Sequence, residues 1–152
     1  MAVYKIFPEK DATLYSYYPK TNTGIDEILE ISTFSSLEST SEVSRALIKF
    51  STDEIKDIIQ NKVSGSNYSA YIKLYLASAN EIPLNYTILA HPISGAWDMG
   101  TGKLANYPVT EDGVCWTGKT ANTAWPVTSL TSGVTASYSS NAGGGNWYTS
   151  SI

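Results

Sequence analysis

Arg45-Ala46-Leu47-Ile48-Lys49-Phe50-Ser51-Thr52-Asp53-Glu54-Ile55-Lys56-Asp57-Ile58-Ile59-Gln60-Asn61-Lys62-Val63 is the stretch where the period of the apolar residues changes. Up to Phe50 the period is two, with Ala46, Ile48 and Phe50 on one face of a strand. Ser51 followed three residues later by Glu54 is a capping box. Beyond it Ile55, Ile58, Ile59 and Val63 recur at helical spacing, and Gly65 marks the end. The spacing predicts a short helix with a single apolar stripe, suited to plug one end of a sheet. No other segment of the chain carries a convincing helical period, so everything outward from here is read as strand and turn.

Upstream, residues 4–18 read as two short strands with Pro8 and Lys10-Asp11 as the turn. Pro19-Lys20-Thr21-Asn22-Thr23-Gly24 is a loop, since Asn22 and Gly24 tolerate positive φ. Residues 27–33 alternate and predict a half-exposed strand, followed by a polar loop over 35–44. Downstream, residues 67–78 give the clearest strand pattern: Tyr68, Ala70, Ile72, Leu74 and Leu76 on one face, Tyr71, Lys73 and Tyr75 on the other. Residues 85–92 repeat the pattern, and 133–138 make a last strand candidate. Short strands, turn signals and one helix predict an all-β sandwich in a single domain over residues 1–152.

Composition narrows the class of partner. Charged residues make up 16% of the chain, against about 25% in an average soluble domain. The net charge is -4 and no Lys/Arg cluster exists, which argues against nucleic acid as a partner. The first residues lack the basic and apolar regions of a signal peptide, and no segment approaches the roughly 20 apolar residues of a membrane span. A lone cysteine, Cys115, forms no internal disulfide and reads as a small packed hydrophobe beside Trp116. Synthesis in a cytosol without membrane insertion is the expectation.

Catalytic constellations are missing. The only histidine, His91, lies in an apolar strand pattern before Pro92 and reads as a hydrogen-bonded strand residue. Asp11, Asp26, Glu27 and Glu30 suggest paired carboxylates for glycoside hydrolysis or oxygen ligands for calcium. Neither signal is specific, because adjacent acids are ordinarily a solvated strand end. The expectation is no enzyme, no metal and no cofactor. Gly143-Gly144-Gly145 lacks the Lys-Ser/Thr of a phosphate loop and reads instead as a bend that turns Trp147 and Tyr148 onto the sheet.

All four tryptophans fall in the last third of the chain, each among Gly, Thr, Asn and Ser. Indoles in such loops stack on sugars, or else they close the ends of the core or fill a subunit interface. The Gly and Pro neighbours (Gly95, Pro126, Gly145) favour packed corners. Trp97, Trp125, Trp147 and Tyr148 are the interface or glycan-binding candidates.

Several stretches carry a resemblance. Phe7-Pro8-Glu9-Lys10-Asp11-Ala12-Thr13-Leu14-Tyr15, Pro19 with Asn22-Thr23-Gly24-Ile25-Asp26-Glu27, Arg45-Ala46-Leu47-Ile48-Lys49-Phe50, and Ala70-Tyr71-Ile72-Lys73-Leu74-Tyr75-Leu76 resemble the carbohydrate-binding-module-like jelly roll called the DNRLRE domain. Trp97-Asp98-Met99-Gly100-Thr101-Gly102, Gly113-Val114-Cys115-Trp116 and Gly143-Gly144-Gly145-Asn146-Trp147-Tyr148-Thr149 resemble a branch found in structural proteins of tailed phages, marine and cyanobacterial ones above all. The resemblance implies a jelly-roll β-sandwich with one short α-helix, serving as a virion structural protein made in the host cytoplasm. Capsid decoration, neck, fibre and tail-associated positions all fit. It implies other virion proteins as partners, in a homo-oligomer or with a strand-sharing neighbour, and a glycan as a further partner. Relatives continue into more strands after the Trp-Tyr-Thr segment. The expectation is therefore that this chain is the N-terminal part of a longer protein or takes strands from a neighbour. The alternative is a carbohydrate-binding module.

Overall fold

The computed structural model describes residues 2–35, 41–63, 65, 67–80, 82, 84–93, 95–126, 134–135 and 144–148. Strands dominate its regular structure: β1 (Pro8–Tyr15), β2 (Thr33–Ser35), β3 (Ser41–Phe50), β4 (Gly118–Thr120), β5 (Thr123–Ala124), β6 (Val134–Thr135) and β7 (Trp147–Tyr148). One α-helix, α1 (Thr52–Asp57), runs into a π-helical turn (Ile58–Lys62). Over the described residues the chain is all-β with one short helix. Its strands form small sheets, ordered β1-β3-β2, β4-β5 and β6-β7, and the β2-β3, β4-β5 and β6-β7 pairs are antiparallel. The backbone falls into two compact units, Met1–Glu9 with Lys49–Leu89, and Lys10–Ile48 with Ala90–Ile152.

The helix starts where the capping box puts it. Ser51 is the N-cap, and its hydroxyl accepts a hydrogen bond from the Glu54 amide. None of the helix's residues is fully buried: along its apolar stripe Ile55 and Ile58 are half-buried and Ile59 is exposed.

Several strand assignments change, each for a hydrogen-bonding reason. Residues 4–18 hold one strand, not two. Lys10, assigned to a turn, lies within β1, which pairs with β3, and its ammonium sits 4.6 Å over the Trp97 ring and donates to the Trp97 carbonyl. Ala12, Thr13 and Leu14 are then buried on both faces of β1. Residues 27–32 form no strand because their amides find side chains rather than a ladder. The Glu30 N–H donates to Thr13 Oγ1 (3.0 Å) and the Ser32 N–H to Ser44 Oγ (2.7 Å), the competition that Ser and Thr offer to sheet pairing. The loop expected over 35–44 already gives way to β3 at Ser41.

The largest correction concerns residues 67–78 and 85–92, which form no strand. Alternation supplies a face, but a strand exists only when another backbone pairs with it. Among the described residues no backbone hydrogen bond reaches residues 67–90. Of the 133–138 candidate, Val134 and Thr135 pair with Tyr148 and Trp147. Its other positions lie outside the described residues.

The core of the Lys10–Ile48 and Ala90–Ile152 unit is Ala12, Leu14, Trp97, Val114, Trp116 and Trp125, with Val43, Leu47, Ile93 and Met99 packed against it. Along β3 it is therefore Val43 and Leu47 that meet the core, not the face of Ala46, Ile48 and Phe50.

Candidate functional site

Local hydrogen bonds seat the tryptophan-bearing loops. The Val114 amide donates to the Asp98 carbonyl (2.7 Å), the Asp98 amide to Lys119 (3.0 Å), and Thr117 bonds the Pro19 carbonyl through both amide and hydroxyl. Trp125 Nε1 donates to the Cys115 carbonyl (3.0 Å), satisfying the one polar atom of a buried indole. Trp97, Trp116 and Trp125 are 2%, 4% and 2% exposed. Their rings fill the core, so in the folded chain neither Trp97 nor Trp125 offers a face to solvent.

Trp147 is half-buried and takes part in a cation–π stack. The Arg45 guanidinium lies 4.8 Å from the Trp116 ring centre and 4.8 Å from that of Trp147, between two indoles 31 positions apart in the chain. Its Nη1 donates to the Gly144 carbonyl (2.7 Å). Burial lowers the Arg45 pKa, yet a guanidinium stays charged across the working pH range. Gly144 reaches this place with φ 76, in the left-handed region where glycine is at ease, and Ile93 bridges Trp147 from the other side. The glycine bend does turn β7 onto its neighbours. Arg45, which the sequence left inside an ordinary strand, is what holds it. His91 is exposed, with its ring 6.4 Å from Trp147. Tyr148 pairs through its backbone with Val134, and its side chain lies outside what is described.

The strongest polar feature is Asn22, fully buried at 0% exposure. Its Nδ2 donates to the carbonyls of Met99 (2.7 Å) and Val114 (2.8 Å); its Oδ1 accepts from the amides of Gly102 (2.7 Å) and Gly24 (3.3 Å). A Cβ on Gly100, Gly102 or Gly113 would run into Asn22, which accounts for three glycines around one amide. Thr23 fastens the same loop to β1, with its Oγ1 taking the Thr13 amide (2.9 Å) and giving to the Thr13 carbonyl (2.7 Å). This is an architectural knot.

Three of the four candidate carboxylates are likewise occupied with structure, while burial alone raises the pKa of Asp11. Asp26 accepts from the Leu104 amide (3.1 Å), and Glu27 pairs with Lys103, whose hydrogen bond holds the Glu27 carboxyl below its ordinary range. Glu30 accepts from the Tyr15 hydroxyl (3.1 Å), while burial first and Glu30 second push that phenol above its ordinary value. Asp26, Glu27, Ile28, Leu104 and Ala105 line a shallow open depression of about 330 Å³. Among the described residues no three His, Cys, Asp or Glu stand together to hold a metal ion, and no helix is long and apolar enough to cross a membrane.

Asp112 clamps the turn at Thr101, accepting from its amide (3.0 Å) and its hydroxyl (2.6 Å), and these bonds lower its pKa. A carboxylate with a lowered folded pKa contributes stability that is complete above about pH 5 and is lost as the pH falls through that pKa. The melting-temperature gap between wild type and Asp112→Ala is therefore expected to narrow as the pH falls through and below the ordinary carboxylate range. A gap independent of pH would show that the carboxylate charge plays no part.

The exposed apolar surface lies elsewhere. Every described residue from 67 to 92 is exposed, including Tyr71 (88%), Tyr75 (81%), Leu76 (77%) and Leu84 (102%). No sequence signal separates this segment from a buried strand, because both read as alternation. Comparison with known proteins finds no matching family model, curated protein or solved structure.

Proposed function

We propose that this chain is a non-enzymatic structural protein of a tailed-phage virion, a jelly-roll subunit that joins neighbouring subunits in a capsid-decorating, neck, fibre or tail-associated position. The observation that carries the reading is the strand-patterned, apolar and exposed run over residues 67–90, which has no backbone partner among the described residues. An exposed strand with open N–H and C=O groups is a template for another chain, and apolar surface of this extent marks an interaction site. Asp26, Glu27 and Glu30, engaged in hydrogen bonds and an ion pair, and a histidine in solvent support a role without catalysis. The sequence resemblance to phage structural proteins supplies the setting, with synthesis in the host cytoplasm.

Purified particles from the source organism, digested and sequenced by mass spectrometry, are expected to contain this chain in fixed proportion to the other virion proteins. Its absence from intact particles overturns the reading. One observation favours a second function: Trp147 is half-buried beside the exposed His91, an arrangement open to a sugar face. Retention on a glycan array that Trp147→Ala abolishes, in a chain missing from particles, identifies a carbohydrate-binding module instead.

A further inference from the structure

Among the described residues, 67–78 form a long alternating run exposed on both faces. Tyr68 (54% exposed), Ile72 (62%), Leu74 (58%) and Leu76 (77%) share one face with Ala70. Tyr71 and Tyr75 share the other with Lys73, whose ammonium lies 4.9 Å over the Tyr75 ring. Lys73 is the only charged residue of the run.

We infer that this run is a self-complementary strand that pairs antiparallel with the same strand of a second copy of the chain, about a two-fold axis through Ile72. The inference deepens the assembly role proposed above and rests on it. Three features select this partner and register. A two-fold at Ile72 maps the apolar face onto itself: Tyr68 opposes Leu76, Ala70 opposes Leu74, and Ile72 opposes Ile72. Moving the axis to Tyr71 or Lys73 leaves a bulky member of that face opposite a serine. On the other face the same axis sets Lys73 opposite the second copy's Tyr71, where cation and ring attract as Lys73 and Tyr75 already do within one chain. An axis at Lys73 would instead put the two ammonium groups directly opposite, a destabilising pairing. Finally, the run carries a single charge, and the axis at Ile72 keeps the two Lys73 side chains off directly opposed positions, so little like-charge repulsion opposes the pairing. The partner strand supplies the backbone hydrogen bonds that residues 67–78 lack among the described residues, and neighbouring subunits are joined through one continuous sheet.

Cysteine cross-linking of the full chain tests the register. Directly opposed positions in an antiparallel pair bring their Cα atoms within about 4.5–5.5 Å, inside disulfide range. Under mild oxidation Ile72→Cys is expected to form a covalent dimer by itself. Ala70→Cys alone is expected to form none, whereas a mixture of Ala70→Cys and Leu74→Cys cross-links. Wild type, whose Cys115 is buried, serves as the control. Ile72→Lys should raise the dimer dissociation constant about tenfold or more, through like charges on the axis. Native mass spectrometry reporting a single chain overturns the inference, above all if amides 67–78 are protected from exchange in that monomer through pairing with 84–90. A dimer in which Ile72→Cys stays reduced overturns it as well. Neither result removes the chain from particles, so the assembly role and this interface fail separately.

Discussion

Asn22→Ala is expected to be the most damaging conservative-sized change in the protein, lowering unfolding free energy by about 4 kcal/mol or more. The side chain satisfies two backbone carbonyls and two backbone amides, all buried in the same knot. Each buried group left without its partner costs about 1–3 kcal/mol, so three or four of them take a large share of a domain's total stability of about 5–15 kcal/mol. Asn22→Asp keeps the shape but removes both donors and places a negative charge at the carbonyls of Met99 and Val114. It should be as damaging at neutral pH, which separates hydrogen bonding from packing. Urea unfolding followed by tryptophan fluorescence reads both variants. A midpoint shift worth under about 1 kcal/mol in either would mean that water takes over the amide's bonds.

Trp97→Ala is expected to cost about 3–5 kcal/mol, the range for deleting a buried aromatic. For a chain of this size that is a fall in melting temperature of about 6–20 °C. The indole is 2% exposed, belongs to the core with Leu14, Val114 and Trp116, and carries Lys10 against its face. Tyr107→Ala is the matched control: its ring is 99% exposed, and its removal should change stability by no more than about 0.5 kcal/mol. The pair also decides what the tryptophans do. A Trp97→Ala protein that melts like wild type but no longer holds a glycan would make Trp97 a binding residue; a large fall in melting temperature makes it a core residue.

Legibility in the sequence followed the distance over which each interaction acts. The capping box at Ser51 and Glu54 is local, and its hydrogen bond forms where the spacing puts it. The glycines before Trp147 read as a bend, and Gly144 and Gly145 both adopt positive φ. Asn22 was legible only as a turn residue, because its side chain bonds residues 77, 80 and 92 positions away. Arg45 read as one more position in a strand, although it is the cation between Trp116 and Trp147. Residues 27–32 and 67–78 alternate equally well and form no strand for opposite reasons. The first donates the Glu30 and Ser32 amides to Thr13 and Ser44, and the second makes no backbone hydrogen bond among the described residues.

By itself the sequence determined the strand-rich class and the short helix with its cap. These depend on residue type, period and short spacing, which the chain carries before it folds. Only the tertiary structure decided that Trp97, Trp116 and Trp125 are core, that Asn22 ties three glycine-bearing loops together, and that the described residues of 67–90 stand exposed. Period two records which face of a segment is apolar. It does not record which backbone, of this chain or another, will cover that face, because the hydrogen bonds of a sheet are made by groups that every residue shares.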